Sequence, residues 1–190
     1  MAIPEKTGTY TVDEFETFLA KPENADRLFE LIHGEIVEKV PTQKHGLLTG
    51  NLFGFIWSHT RQKGVGFVVM EVRHRVPGDE HNDRIPDISY YADTDKPLVE
   101  RGPVPYLPDL AIEVKSPDDT YNKMREKADY YLTNGVRLVW LVYPEKRLVV
   151  VRTPDSEDIL TENDTLDGGD VLPDFKLSVR DIFMKGNQLI

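Results

Sequence analysis

Tyr106-Leu107-Pro108-Asp109-Leu110-Ala111-Ile112-Glu113-Val114-Lys115-Ser116-Pro117 is the stretch that decides the fold. It reads as a strand that enters from a proline-rich loop and stops at Ser116-Pro117. Ile112 and Val114 point to one side of it, Ala111, Glu113 and Lys115 to the other. Alternate residues on one strand face stand about 6.5 to 7 Å apart, so an acid and a lysine at this spacing can address one oxyanion or one metal-bound water. Buried strands of α/β proteins read as apolar runs, so two charges in this one need a reason.

Downstream, Asp118-Asp119 can cap a helix that stops at Asn134-Gly135. Its buried stripe is expected to be Tyr121, Met124, Ala128, Tyr131 and Leu132, with Lys123 and Lys127 on an adjoining face. Val136–Tyr143, with Trp140, is a continuous apolar run that fits a strand covered on both sides. Strand, helix and strand over this length predict a right-handed parallel crossover. Pro144-Glu145-Lys146 then turns the chain into Arg147–Thr153 as a hairpin. From Pro154 the sequence is acidic and turn-rich; it should add edge strands and pack Val179–Phe183 as a terminal cap.

Upstream, Thr11-Val12-Asp13-Glu14 has the form of a capping box and opens a helix to about Ala20. Leu28–Ile32 and Glu35–Val40 alternate around His33-Gly34, a hairpin signature. Glu30 shares the face of Leu28 and Ile32, either as a carboxylate on an apolar face or as a solvated edge residue. Gln43 to about Gln62 reads as a helix, on which Gly46, Gly50 and Gly54 share one face and suggest close approach to the sheet. Gly66–Val76 predicts a long strand and Arg84–Tyr91 another, with Ala92–Pro108 as a surface loop.

The bulk numbers bound the answer. A chain of 190 residues with 39% hydrophobic and 29% charged content suits one globular core. No apolar run approaches the roughly 20 residues needed to span a bilayer, and Met1–Lys6 lacks the pattern of a secretory signal. Without cysteine there is no disulfide framework, thiolate nucleophile or Cys-ligated zinc. A cytoplasmic, bacterial-type protein with no membrane association is the simplest reading. The net charge of −10 argues against tight non-specific DNA binding. No Gly-x-Ser-x-Gly supports a serine hydrolase.

An aspartate on one strand and Glu-x-Lys on its neighbour would make a divalent-metal hydrolase site. Two carboxylates supply hard oxygen ligands to Mg²⁺, the metal lowers the pKa of a bound water, and the lysine stabilises a developing oxyanion. Asp87, Glu113 and Lys115 satisfy this in type, order and predicted placement. The Pro-Asp dipeptide itself says little, because it recurs at Asp87, Asp109, Asp118, Asp155 and Asp174 and is ordinary turn chemistry. Asp109 lies four residues before Glu113 on the same strand, about 13 Å away, too far to share an ion. Asp87 alone lies on a separate preceding strand. By pattern alone, a solvated salt bridge stays open as the explanation of Glu113 and Lys115.

The order hairpin, helix, strand, Pro-Asp strand, Glu-x-Lys strand, helix, strand resembles the PD-(D/E)XK nuclease superfamily, and within it the Uma-type family of restriction-endonuclease-like proteins. The likeness rests on Phe29–Glu38, His45, Ile85–Ser89, Pro108–Pro117, Lys127, Tyr130-Tyr131, Gly135-Val136 and Val139–Val142, and covers about residues 10 to 183. It implies an α/β (α+β) fold: a mixed central sheet flanked by helices, a restriction-endonuclease-like core at about 28–153, an N-terminal helix and hairpin, and a C-terminal extension over 154–190. Residues 1–190 would form a single domain. The resemblance further implies Mg²⁺ (or Mn²⁺) as cofactor, Asp87 and Glu113 as metal ligands, Lys115 as the catalytic lysine and Glu30 as an additional N-terminal acid. Many relatives lack a lysine at the position of Lys115, which this chain keeps. Lys127 could be a second cation near the site or a solvated one. His45 could approach the pocket or contact backbone, and Glu35 and Glu71 rank below Glu30 as ligands.

The function this implies is metal-dependent phosphodiester hydrolysis, with DNA as substrate and a homodimer as a plausible assembly. The alternatives are a non-catalytic binding or assembly module that keeps the fold, which the acidic charge favours, and a hydrolase of another phosphate ester.

Overall fold

The computed structural model describes residues 8–190; the stretch Met1–Lys6, read above for a targeting signal, lies outside them. The described chain forms two compact units.

The first unit takes the described residues up to Val40, with Val72–Ile85 and Val99–Leu107. Its helix α1, Val12–Leu19, starts at the expected capping box: Thr11 Oγ1 accepts from the Glu14 amide and the Glu14 side chain accepts from the Thr11 amide. Strands β1 (Leu28–Ile32) and β2 (Glu35–Lys39) pair antiparallel through His33-Gly34. Both turn residues have positive φ, 50° and 78°, as a two-residue type I′ turn requires. Val12, Phe15, Phe18, Phe29, Leu31 and Ile36 make this unit's core. Two arginines, Arg73 and Arg75, bond both Asp83, which is fully buried, and Glu16.

The second unit holds helix α2 (Gln43–Lys63) and a mixed six-stranded sheet. The strands are β3 (Phe67–Met70), β4 (Ile88–Tyr91), β5 (Leu110–Val114), β6 (Leu138–Tyr143), β7 (Leu148–Arg152) and β8 (Glu157–Thr161), neighbours in that order. All pairs are antiparallel except β5 with β6, which helix α3 (Tyr121–Thr133) joins as a parallel crossover. Leu110, Ile112 and Val114 pack with Leu48, Leu52 and Ile56 of α2 on one face, as the alternation in the decisive stretch predicts. The C-terminal segment completes that layer. After β9 (Thr165–Asp167) and β10 (Lys176–Ser178), the short helix α4 (Val179–Ile182) and Phe183 enter the same core, beside Leu166, Leu172 and Phe175. The terminal hairpin of β11 (Met184–Lys185) and β12 (Gln188–Leu189) follows.

Several local expectations are corrected. The long strand Gly66–Val76 is only β3, because Glu71 adopts φ +52° and turns the chain out of the sheet. Helix α3 is capped by Thr120, whose Oγ1 accepts from the Lys123 amide, while Asp119 closes a turn on the Ser116 amide. Its buried face is Met124, Lys127, Ala128, Tyr130 and Tyr131, leaving Tyr121 exposed. Gly46, Gly50 and Gly54 do not approach the sheet: they are exposed, and a Cβ added at any of them meets nothing within 4 Å.

Candidate active site

Strand β4 starts at Ile88 because Pro86 has no amide proton to give a ladder. The last β4–β5 pair is Ile88 with Ile112, so Asp87 and Glu113 occupy the next position, one step beyond the shared ladder. Val114 would there lack an acceptor on the β4 side, and the Asp87 side chain supplies it: Oδ2 accepts from the Val114 amide at 2.7 Å. The same oxygen lies 3.0 Å from His45 Nε2. His45 is held in turn by the start of α2, where its amide donates to Thr42 Oγ1. Asp87 is 1% and His45 6% exposed, so this contact is made in a nearly dry environment.

Glu113 extends from β5 toward α3 and is 2% exposed. Tyr131 donates its hydroxyl to Oε1 at 2.6 Å and Lys127 its ammonium to Oε2 at 3.0 Å. Lys127 and Tyr131 are four residues apart on α3, one turn on one face, so a single helix grips both oxygens. This is the buried carboxylate the fold cannot leave alone; an ionised group out of water must be paired and hydrogen-bonded.

Lys115, two residues on, is buried but does not pair with Glu113. Its ammonium donates to Glu145 Oε1 at 2.9 Å and to the Ser116 carbonyl at 3.1 Å. Glu145 sits on the turn after β6. Burial raises its pKa, but the Lys115 hydrogen bond, a main-chain hydrogen bond and the charges of Lys115 and Lys44 outweigh this and hold it below the ordinary range. The Lys115 ammonium also lies 5.8 Å from the centre of the Tyr121 ring.

The other sequence candidates separate clearly. Glu30 is in the first unit, 1% exposed, and its Oε1 accepts from the Ile85 amide at 2.8 Å; the solvated reading is overturned. Glu35 is exposed on β2 of that unit. Glu71 is exposed, and its amide donates to the Asp87 carbonyl, so its backbone borders the aspartate. Asp109 is engaged elsewhere, accepting from the Ala92 amide and from Arg137. Sequence reasoning missed Tyr131 as a donor, having placed it in an apolar stripe, and left Lys127 undecided. The i, i+4 spacing of the two, one turn apart on the helix after Glu-x-Lys, was the available signal.

Among the described residues, no group of three or more His, Asp and Glu side chains is arranged to hold an ion. Mg²⁺ does not need one: it takes one or two carboxylates and keeps several waters. Asp87 and Glu113 are the two buried carboxylates that would have to serve, and carboxylate oxygens that each accept hydrogen bonds still have lone-pair capacity. The donor set fits Mg²⁺ or Mn²⁺, with Lys127 as a competing cation on Glu113.

Residues 13–180 match the model of the Uma2 family, whose description reads "Putative restriction endonuclease". Among solved structures, the chain is similar to one described as a "putative nuclease belonging to DUF820" from Anabaena variabilis, with 26% identity and a TM-score of 0.76. The likeness covers 91% of this chain and 97% of that one. No curated protein matches the chain significantly.

Proposed function

The chain belongs to the Uma2 family, and on that basis we propose that it is a metal-dependent phosphodiesterase that cleaves DNA. The observation that supports this most is the burial of Asp87 and Glu113 at neighbouring positions of β4 and β5, each held by donors from a flanking helix. Two charged groups are retained in a core where apolar residues would pack as well, which is what a site needs and a scaffold does not.

In this reading Asp87 and Glu113 hold Mg²⁺ or Mn²⁺. The bound ion would activate water and neutralise charge on the phosphodiester. His45 and the Val114 amide fix the Asp87 carboxylate, and Tyr131 fixes Glu113. Lys127 balances the charge of Glu113, and Lys115 stands two residues further along the strand as a cation for the phosphate oxygens. Its bond to half-exposed Glu145 is readily exchanged for one to a substrate phosphate.

Incubating labelled single- and double-stranded DNA with Mg²⁺ or Mn²⁺ tests the reading. Even outer partners of metal ligands are worth about 10–100-fold, so Asp87→Asn should lose at least about 100-fold in cleavage. Wild type no faster than Asp87→Asn would sink it. The second reading, a non-catalytic module, is favoured by one observation: both Glu113 oxygens already have protein donors. Binding of DNA without any metal-dependent cleavage would support that reading instead.

A further inference from the structure

Beside Lys115, at the ends of β5 and β6, lies a group of side chains that the proposed hydrolysis does not use. Tyr121, the first residue of α3, is 44% exposed, unlike the rest of the helix face it was expected to join. Its ring stacks on Tyr143, with centroids 5.2 Å apart and planes at 23°. Tyr143, 3% exposed, is anchored as the last residue of β6. Two ammonium groups face the Tyr121 ring, Lys146 at 4.5 Å and Lys115 at 5.8 Å from its centre. Lys146 is exposed on the turn after β6, and Lys123 is exposed two residues beyond Tyr121.

An aromatic ring on a rigid aromatic support, half open to water and ringed by lysines, has the composition of a stacking platform for a nucleic-acid strand. Bases stack on such rings regardless of sequence, and neighbouring cations follow the phosphates. The lysines gather here in a chain of net charge −10, with Glu145, bonded to Lys115, as the acid among them. Lys115 belongs both to the Glu-x-Lys stretch and to this group, so the platform adjoins the candidate site directly. Bases inside a duplex are already stacked on their neighbours and cannot offer a face to Tyr121.

We propose that Tyr121, supported by Tyr143, stacks an unpaired nucleobase next to the scissile phosphate, so that the substrate is a single strand or an unpaired segment of DNA. Lys146, on its exposed turn, moves from the ring to a phosphate as the base arrives. This rests on the DNA-cleaving reading above, and its test separates the two.

The test is fluorescence anisotropy of the full chain with three labelled probes of equal length: a single-stranded oligodeoxynucleotide, its abasic counterpart and a blunt duplex. Ca²⁺ replaces Mg²⁺ to hold the complex. Wild type should bind the single strand about tenfold more tightly than the abasic strand, which keeps every phosphate but offers nothing to stack; one stacked base is worth roughly this much. Tyr121→Ala should bind the single strand no better than the abasic one, and Tyr121→Trp, which keeps a ring, should retain the preference. Equal wild-type affinity for all three probes, or an unchanged preference in Tyr121→Ala, overturns the platform while leaving the nuclease reading intact. Binding of none of them by wild type overturns both.

Discussion

Lys127 Nζ stands 3.0 Å from Glu113 Oε2, with the two side chains only 10% and 2% exposed. Taking away one partner of a buried pair leaves an uncompensated charge, at a cost of about 3–5 kcal/mol. Lys127→Met should therefore lower stability by about 3 kcal/mol in urea unfolding. Glu145→Gln removes the counter-charge of Lys115, but Glu145 is 51% exposed and water replaces it. That variant should lose about 1 kcal/mol or less. Equal losses in both variants would contradict the view that Glu113, and not Lys115, is the charge the core must accommodate.

Metal binding should depend on both carboxylates. Titration calorimetry with Mn²⁺ is expected to give measurable heat with wild type and with Lys115→Ala, and none with Asp87→Ala or Glu113→Ala. Affinity unchanged in both carboxylate variants would remove Asp87 and Glu113 as ligands.

The glycines of α2 offer a test of their orientation. Gly50 is exposed, and a methyl group there meets nothing within 4 Å. Alanine is favoured over glycine in a helix interior by about 1 kcal/mol, so Gly50→Ala should raise the unfolding free energy by about that much. A destabilised Gly50→Ala would mean that this face does pack against something.

His74 makes stability depend on pH. It is fully buried, and burial lowers its pKa to about 4 from 6.5, against the pull of hydrogen bonds to the main chain of Val72 and Arg84. The unfolded chain therefore binds a proton below about 6.5 that the folded chain takes up only near 4. Stability from this residue is complete above 6.5 and is lost as pH falls through the window down to 4. The shift corresponds to about 3 kcal/mol. Chemical denaturation at pH 7 and pH 4 should show this loss in wild type, and a loss smaller by about that amount in His74→Gln.

Elements of both units were legible in the sequence because their signals are local. The Thr11 capping box, the His33-Gly34 turn and the Asn134-Gly135 stop all act through neighbouring backbone groups, and each stands where it was read. Misreadings occurred where the residues at hand allow more than one local solution. Gly66–Val76 has strand composition throughout, yet Glu71 turns it out of the sheet at a left-handed residue. Asp118-Asp119 look like a cap, but Thr120 is the residue whose hydroxyl meets the Lys123 amide.

The sequence by itself determined that Ile112 and Val114 face one way and Glu113 and Lys115 the other, because the alternation of a strand is a property of its backbone. It also singled out Asp87, since Asp109 lies too far along the same strand. What only the tertiary structure decided is which groups these charges meet. Glu113 and Lys115 read as a pair, but Glu113 is held by Lys127 and Tyr131, and Lys115 by Glu145. Those partners lie 14, 18 and 30 residues away. The packing of α3 on β6 and the turn after β6 bring them in, and neither spacing nor composition along the strand encodes that.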